Sequence, residues 1–299
     1  MQHSDFDRLL LLFKRSHSLP ELPGIAMRLI EAVDSGEASA VQIEKIISAD
    51  PLLSTKVLRL ANTAQASSGH EVATIRMAIL RLGQRSVRAL GVSLIMQKLS
   101  GNAKAPCFNA QRLGRHSLMV GLLARYLLVR RMQKEKFETR WSGDEVFAAG
   151  LLHELAIALL SQVDPESYIR VHGLASRQGL SIGAAFEKIY GQPIVSLASA
   201  AAEAWRLPEI FVTVFKHVDQ PWAHPEEYQS LCCLNYANHL AMAAKITTED
   251  WVVTSEAEPE VAEEVGLAPE EIQQVIQHLT PQVEQYFAAE GYGRSGRAA

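Results

Sequence analysis

Apolar side chains recur three and four residues apart along nearly the whole chain, which is the spacing of one face of an α-helix. Asp50 with Pro51, and Asp164 with Pro165, each supply a helix N-cap followed by proline at the first helical position, and Gly179 supplies a stop. No segment alternates polar and apolar residues between hairpin turns, as half-buried strands do. The pattern therefore predicts an all-α protein.

The periodic stretches give the approximate positions of the helices. They are predicted at 52–61, 75–82, 87–95, 113–127, 144–160, 165–178, 193–205, 208–218, 226–245 and 269–287, the last bent by Pro281. The polar and small residues at 101–106 read as a linker.

Charge is distributed unevenly, although the net charge is only −4. Residues 72–134 contain no Asp or Glu and many Arg and Lys, whereas residues 246–292 contain no Lys or Arg and many acids. Two interpretations are open: the two segments lie side by side and neutralise one another, or the basic segment forms a surface for an anionic partner.

Three arginines in the basic segment share one helix face, because Arg81, Arg85 and Arg88 are spaced by four and three residues. The favoured interpretation of such a face is that it is exposed to solvent or makes an intramolecular contact. If it binds a partner, an acidic protein surface, a nucleotide messenger and DNA are the alternatives. The sequence pI of about 6.2 argues against a dedicated DNA-binding protein.

The expected compartment is the cytoplasm. Three cysteines, two of them adjacent, suggest neither a disulfide framework nor a CxxC metal knuckle. The N-terminal residues have the wrong charge order for a signal peptide, and no apolar stretch approaches the roughly 18 residues of a membrane span.

One pair of residues carries the strongest chemical signal. His153 and Glu154 lie together inside an apolar run at 148–160 that reads as helix, and His116 lies on an apolar stripe one helix upstream. Two histidines and a carboxylate converging on one cavity are the skeleton of a metal-dependent phosphohydrolase centre. The alternative is a buried polar cluster in which the imidazoles find hydrogen-bond partners and hold two helices in register.

Several motifs in order resemble the HDOD domain, the HD-related output domain of bacterial signalling proteins. The resemblance rests on residues 19–24 (LPELPG), 46–53 (IISADPLL), 56–62 (KVLRLAN), 75–83 (IRMAILRLG), 115–117 (RHS), 149–154 (AGLLHE) and 205–208 (WRLP). It covers residues 19–285. It implies an HD-like helical bundle at 106–285 with an additional N-terminal helical lobe at 19–101, an N-terminal helix at 1–18 and a flexible tail at 286–299.

The resemblance also implies which residues correspond to the metal ligands of HD enzymes. The first and central histidines match His116 and His153, and the paired aspartate matches Glu154, which is one methylene longer. The other positions are a further histidine that falls on or near Ile194, a tandem histidine reduced to His217, and a final aspartate that becomes Asn238. The expected ligand set has thus lost imidazoles and anionic oxygens, so the resemblance implies a degenerate metal site. We expect no catalytic residue and no cofactor, with a single divalent ion on His116, His153 and Glu154 as the remaining alternative.

The leading functional hypothesis is a non-catalytic cytoplasmic regulatory module that acts on other signalling proteins. Because the module fills the chain, it is expected to meet them in trans. One alternative is a metal-dependent phosphohydrolase acting on a nucleotide or cyclic dinucleotide, and another is a nucleic-acid-binding regulator that uses Arg81, Arg85 and Arg88. A nucleotide bound without turnover in the HD-like cavity is a further possible partner, and no membrane is expected.

Overall fold

The structure is a computed structural model that describes residues 2–15, 18–34, 38–63, 72–134, 139–251 and 256–289. All regular elements in these residues are helical, which confirms the all-α prediction. The α-helices are α1 Gln2–Lys14, α2 Gly24–Asp34, α3 Ala40–Ser48, α4 Pro51–Thr63, α5 Ile75–Leu82, α6 Gln84–Gly101, α7 Ala110–Lys134, α8 Gly143–Leu152, α9 Leu155–Val163, α10 Pro165–Gln178, α11 Ile182–Tyr190, α12 Val195–Ala204, α13 Glu209–His217, α14 Tyr228–Ala243, α15 Pro259–Val265 and α16 Pro269–Ala289.

Two compact units divide the chain. The smaller comprises residues 21–98 and the larger comprises residues 1–20 and 99–299. The sequence placed the boundary between the two lobes at residues 101–106, close to the division between residues 98 and 99 in the structure. The first helix, which was predicted as a separate element, belongs to the larger unit.

The smaller unit is built on helix caps that the sequence displays. Asp50 accepts a hydrogen bond from the amide of Leu53 at the start of α4 (2.9 Å), and Thr74 caps α5. Gly83 ends α5 with a φ of 81°, a conformation that glycine adopts without strain. The core is formed by apolar side chains of α2 to α5 together with Val72: Leu29, Ile43, Ile47, Leu53, Val57, Ala61, Val72, Ala78 and Ile79.

The larger unit is organised around α7, whose apolar stripe is buried against α8 and α14. The crossing of α7 and α8 is close because it is made by two glycines. A Cβ atom added to Gly150 would lie 2.6 Å from the Cα of Gly121. This contact sets the distance between α7, which carries His116, and α8, which leads directly into His153.

The apolar run at 148–160 was predicted as one helix, and this prediction is wrong. α8 ends at Leu152 and α9 begins at Leu155, with a turn at His153 and Glu154. The physical reason is local: the Gly150 carbonyl, which would accept the amide of Glu154 in a continuing helix, accepts a hydrogen bond from Nδ1 of His153 (2.7 Å). The turn aims both side chains at one place.

The same segment corrects a second expectation. Gly143–Val163 is long and apolar enough to cross a membrane by length and composition, contrary to the prediction that no stretch approaches that length. An 18-residue apolar window within it is 78% buried inside the protein. Its hydrophobicity is therefore accounted for by its place in the core.

In the larger unit, basic residues of α7 are neutralised by acidic residues of the segment 246–292. Basic side chains of α7 pair with acids from the segment that lacks Lys and Arg. The pairs are Arg112–Asp250 (3.2 Å), Arg115–Glu284 (3.2 Å), Arg130–Glu271 (2.6 Å), Arg131–Glu264 (2.8 Å) and Lys134–Glu271 (3.5 Å). The hypothesis that these two segments lie side by side is confirmed for α7.

The last helix is longer than expected. α16 continues through Pro281 to Ala289, and Phe287 is buried with its ring against Gly114 and Arg115. The flexible tail predicted from residue 286 was therefore placed too early, because the apolar contact of Phe287 keeps the last turn on α7. Residues 290–299 lie outside the described part.

The end of α14 offers a test of the backbone geometry. The amide of Ile246 donates to the Ala241 carbonyl and that of Lys245 to the Met242 carbonyl, which is the Schellman arrangement. Lys245 occupies its left-handed position with a φ of 60°, where glycine is usual. We expect Lys245→Gly to raise the free energy of unfolding by about 0.5–1 kcal/mol. Urea unfolding at neutral pH measures it, and a loss of stability would contradict the assigned conformation.

Candidate functional site

Two predicted site residues meet in the core of the larger unit. His116 on α7 and His153 in the turn after α8 are both almost fully buried, at 2% and 5% exposure. Their Nε2 atoms lie 3.2 Å apart, and the ring centroids are separated by 5.1 Å. The structure therefore brings together the two histidines that the sequence singled out.

Backbone carbonyls fix the tautomer of each imidazole. Nδ1 of His116 lies 2.7 Å from the carbonyl oxygen of Ile246, and Nδ1 of His153 lies 2.7 Å from that of Gly150. A carbonyl oxygen only accepts hydrogen bonds, so both Nδ1 atoms carry the proton. In the neutral rings the two Nε2 lone pairs then point towards each other.

Both rings are held in that neutral form. Burial lowers the pKa of His116 to about 4, with the charge of His153 acting in the same direction, and burial likewise lowers the pKa of His153 to about 4. Two lone pairs facing each other at 3.2 Å repel unless a proton or a cation lies between them. The arrangement is therefore an acceptor site for a positive charge.

Glu154 supplies the one carboxylate of this cluster. Its Oε1 lies 3.8 Å from Nε2 of His153, and the ligand atoms of His116, His153 and Glu154 lie within 4.8 Å of one another. The pKa of Glu154 is raised to about 6, mainly by burial; His116 acts against this shift, and the neighbouring Asp219 carboxylate adds to it. The carboxylate is therefore mainly ionised at pH 7.

The family resemblance implies a metal centre, and the donor set fits one ion but not two. Two imidazole nitrogens at about 2.0–2.1 Å from a tetrahedral zinc ion are about 3.3 Å apart, close to the 3.2 Å found here. A binuclear centre needs further oxygens that bridge the ions. Among the described residues, the three-residue group is the one cluster of His, Cys, Asp and Glu that could hold a metal.

Asn238 on α14 contributes an amide in place of an anionic oxygen. It lies close enough to raise the pKa of both histidines by hydrogen bonding, while its Oδ1 is buried with no hydrogen-bond partner. The oxygen and nitrogen of an amide are assigned from such contacts. With the amide turned over, its NH₂ group would face the histidine lone pairs as a donor, which an aspartate cannot do.

Two other predicted positions do not join the cluster. Ile194 is buried at the N-cap of α12 and has no ligand atom to offer. His217 ends α13 and stacks at an angle against His224, with ring centroids 5.1 Å apart, instead of facing His116. The spacing along the sequence suggested His217 as a ligand, but it could not show that this side chain packs against His224.

The arginine face is only partly described. Arg81 on α5 is half-buried and interacts within the protein, and the side chains of Arg85 and Arg88 lie outside the described residues. The hypothesis of an anionic-partner face on these three residues stays a prediction.

Reasoning from sequence missed three contributors to the site. Asp219 affects the charge state of Glu154, and the carbonyl groups of Ile246 and Gly150 set the tautomers. Asp219 stands two residues after His217, so a search for carboxylates near the candidate ligands could have found it. Backbone carbonyls carry no sequence signal.

Comparison with known families bears directly on this site. A model of the HDOD domain matches residues 19–221, more than half of the chain. The chain belongs to the HDOD family. The match ends before α14, so the HDOD model includes His116, His153 and Glu154 but not Asn238.

Solved structures share the HDOD fold at low sequence identity. An HDOD domain protein of unknown function from Geobacter sulfurreducens has a TM-score of 0.70 and 19% identity, covering 95% of each chain. A proposed phosphohydrolase from Shewanella amazonensis SB2B has a TM-score of 0.68 and 20% identity, covering 91% of this chain and 95% of that one. A proposed signal transduction protein from Marinobacter aquaeolei VT8 has a TM-score of 0.71 and 21% identity, covering 97% of this chain and 66% of that one. These similarities show the fold alone.

An uncharacterised protein of Treponema pallidum (strain Nichols) is 25% identical over 227 residues. The match takes in 73% of this chain and 40% of that protein, so the HDOD chain spans less than half of its curated relative.

Proposed function

We propose that this HDOD chain is a non-catalytic signal-transduction module of the bacterial cytoplasm that acts by binding other signalling proteins in trans. The observation that carries the proposal is the donor set around His116 and His153, in which Glu154 is the one carboxylate and Asn238 replaces the expected aspartate. Such a set lacks the anionic oxygens that hold two metal ions and bridge them.

The amide at Asn238 supports the proposal further. An aspartate at this position would add an anion to a cluster of acceptors and favour a metal ion. The asparagine adds no charge, and with its NH₂ group turned towards the rings it would donate a hydrogen bond to the facing lone pairs. The cluster then holds α7, the turn at 153–154 and α14 together without a metal, which is a structural role.

Metal content tests the proposal. Protein purified without chelator or affinity metal is expected to carry at most one weakly held equivalent of Fe, Mn or Zn by elemental analysis, and to turn over no nucleotide, phosphodiester or cyclic dinucleotide. Asn238→Asp is expected to raise the affinity for a divalent ion by about tenfold or more, because it supplies the missing anionic ligand.

The matched control is Asn235→Asp, one turn earlier on α14, where the side-chain NH₂ donates to the Val218 carbonyl (2.9 Å). It adds the same charge to the same helix at a side chain that faces the Val218 carbonyl, and it is expected to leave metal affinity unchanged. Two tightly bound equivalents in the wild type, or a turnover that is lost in His153→Ala, would contradict the non-catalytic assignment.

A second candidate is a phosphohydrolase that uses a single ion. The specific observation in its favour is the 3.2 Å separation of two unprotonated Nε2 atoms, which suits a tetrahedral metal. An ion held by His116, His153 and Glu154 would supply Lewis acidity to a phosphoryl oxygen. Turnover that requires one equivalent of metal and is abolished by both His116→Ala and His153→Ala is the result that selects this candidate.

A further inference from the structure

The segment at 246–251 connects the histidine pair to a second buried polar cluster. It begins directly after the Schellman end of α14, and the carbonyl of its first residue, Ile246, accepts the hydrogen bond from Nδ1 of His116 (2.7 Å). Any displacement of this carbonyl removes the acceptor that holds His116 in its Nδ1-protonated tautomer.

Glu249 is the buried charged residue of that segment, with 5% exposure. Its Oε1 accepts a hydrogen bond from the hydroxyl of Tyr168 (3.4 Å), and its Oε2 lies 3.9 Å from Nε2 of His172. Tyr168 and His172 stand one turn apart on α10, so the carboxylate docks the segment on one face of that helix.

The neighbouring residues anchor the segment more weakly or farther away. Asp250 pairs with Arg112 at 3.2 Å, but its side chain is 68% exposed, and exposed ion pairs contribute little. The indole of Trp251 donates to the Leu180 carbonyl (3.1 Å) at the far end of the segment and packs edge-on against His172. Glu249 is thus the buried anchor nearest to Ile246 in the sequence.

We propose that Glu249 is a positioning residue for the histidine pair: by docking the 246–251 segment on Tyr168 and His172, it holds the Ile246 carbonyl against Nδ1 of His116 and so keeps the Nε2 lone pair of His116 aimed at His153. The inference deepens the proposed function, because it concerns the same histidine site. It concerns the position of the Ile246 carbonyl and does not depend on whether the site catalyses a reaction.

The charges around Glu249 give this role a pH dependence. Burial raises the pKa of Glu249 to about 7, with Asp250 acting in the same direction, whereas Tyr168 and Arg112 lower it. The groups that face it are Tyr168 and His172 from α10, Cys107 from the loop before α7, Arg112 from α7 itself, and Asp250 from its own segment. Above pH 7 the carboxylate becomes a buried charge beside Asp250, and docking weakens.

Nitrogen-15 NMR of the imidazoles tests the role directly, because it separates the two histidine tautomers. The His116 signals are assigned by their loss in His116→Gln. In the wild type at pH 6 we expect one His116 tautomer with the proton on Nδ1. In Glu249→Ala we expect a mixture of tautomers and exchange of the Nδ1 proton at least about tenfold faster, since the acceptor is no longer fixed.

Three further variants make the test specific. Asp250→Asn, the matched control one residue later, is expected to leave the His116 tautomer unchanged. Tyr168→Phe removes the hydrogen bond without removing a buried charge, and it provides the same readout if Glu249→Ala does not fold. In the wild type, weaker docking above pH 7 is expected to make exchange of the Nδ1 proton rise between pH 6 and 8 by more than hydroxide catalysis alone. Glu249→Gln keeps the size and the acceptor oxygen, so it is expected to retain the wild-type tautomer and to lose this additional rise.

A single Nδ1-protonated His116 in Glu249→Ala or Tyr168→Phe would overturn the inference, and so would a wild-type exchange profile that persists in Glu249→Gln. These results are read on chelator-treated protein, because a metal ion on Nε2 would by itself keep the proton on Nδ1, and none of them depends on turnover. The inference and the non-catalytic assignment therefore fail in different experiments.

Discussion

Replacing Gly150 by alanine is expected to lower the free energy of unfolding by about 3 kcal/mol and to push the two site histidines apart. The added Cβ would lie 2.6 Å from the Cα of Gly121 and 2.9 Å from its amide nitrogen. These are backbone atoms, so no side-chain rotation relieves the contact and α7 must move away from α8. Overpacking of a closely packed core typically costs about 1–3 kcal/mol, and a backbone clash stands at the upper end.

A matched control exists on α10, where a helical glycine has room. The nearest atom to a Cβ at Gly173 is the flexible end of Arg177, at 3.4 Å. Gly173→Ala is expected to raise the free energy of unfolding by up to about 1 kcal/mol through helix propensity. Urea unfolding of both variants measures the contrast. Similar stabilities for the two variants would contradict the close crossing of α7 and α8.

The helices were predictable wherever the chain carries its own start and stop signals. Asp50 and Thr74 act as the N-caps that their sequence contexts indicate, and Gly179 ends α10 in the left-handed conformation. The interruption at His153 and Glu154 was not predictable from periodicity. Apolar spacing continues through it, and the break depends on a histidine nitrogen competing for one backbone carbonyl.

The site was predictable only in part for a related reason. His116 and His153 stand out in sequence because a histidine on an apolar stripe needs a partner in the core. What each ring does is decided by the carbonyls of Ile246 and Gly150, which any residue type would offer. Glu249 lay within an acidic segment, and nothing in the sequence distinguished it, as the buried carboxylate among the described acids of that segment, from its more exposed neighbours.

The second prediction with a large effect is that acidification lowers the free energy of unfolding through the histidine pair. The folded-state pKa of each histidine is lowered from the ordinary value of 6.5 to about 4. The unfolded chain therefore takes up protons first as the pH falls. The stability that the neutral pair contributes is fully present above pH 6.5 and is lost as the pH falls towards 4. One proton across that interval corresponds to about 3 kcal/mol, and two to at most about 6 kcal/mol.

Two buried carboxyl groups act in the opposite direction. The pKa of Glu154 is raised to about 6 and that of Glu249 to about 7, so the stability that they contribute is present below about pH 4.5 and is lost as the pH rises through those values. The wild-type curve of unfolding free energy against pH is the sum of both effects and is flatter than either. The histidine contribution must be measured as a difference between two proteins.

The double variant His116→Asn/His153→Asn removes the two titrating rings and keeps polar side chains in their place. We expect the stability difference between wild type and double variant to shrink by about 3–6 kcal/mol from pH 7 to pH 4. His278→Gln, which removes an exposed histidine of α16, is expected to leave the wild-type slope unchanged. Parallel curves for wild type and double variant would mean that the two rings bind as many protons in the folded protein as in the unfolded chain, which would contradict the neutral pair. A proton shared by the two Nε2 atoms already at neutral pH would instead give a change smaller than about 3–6 kcal/mol, because the folded pair then binds one proton throughout the interval and that proton, not a metal ion, fills the acceptor site.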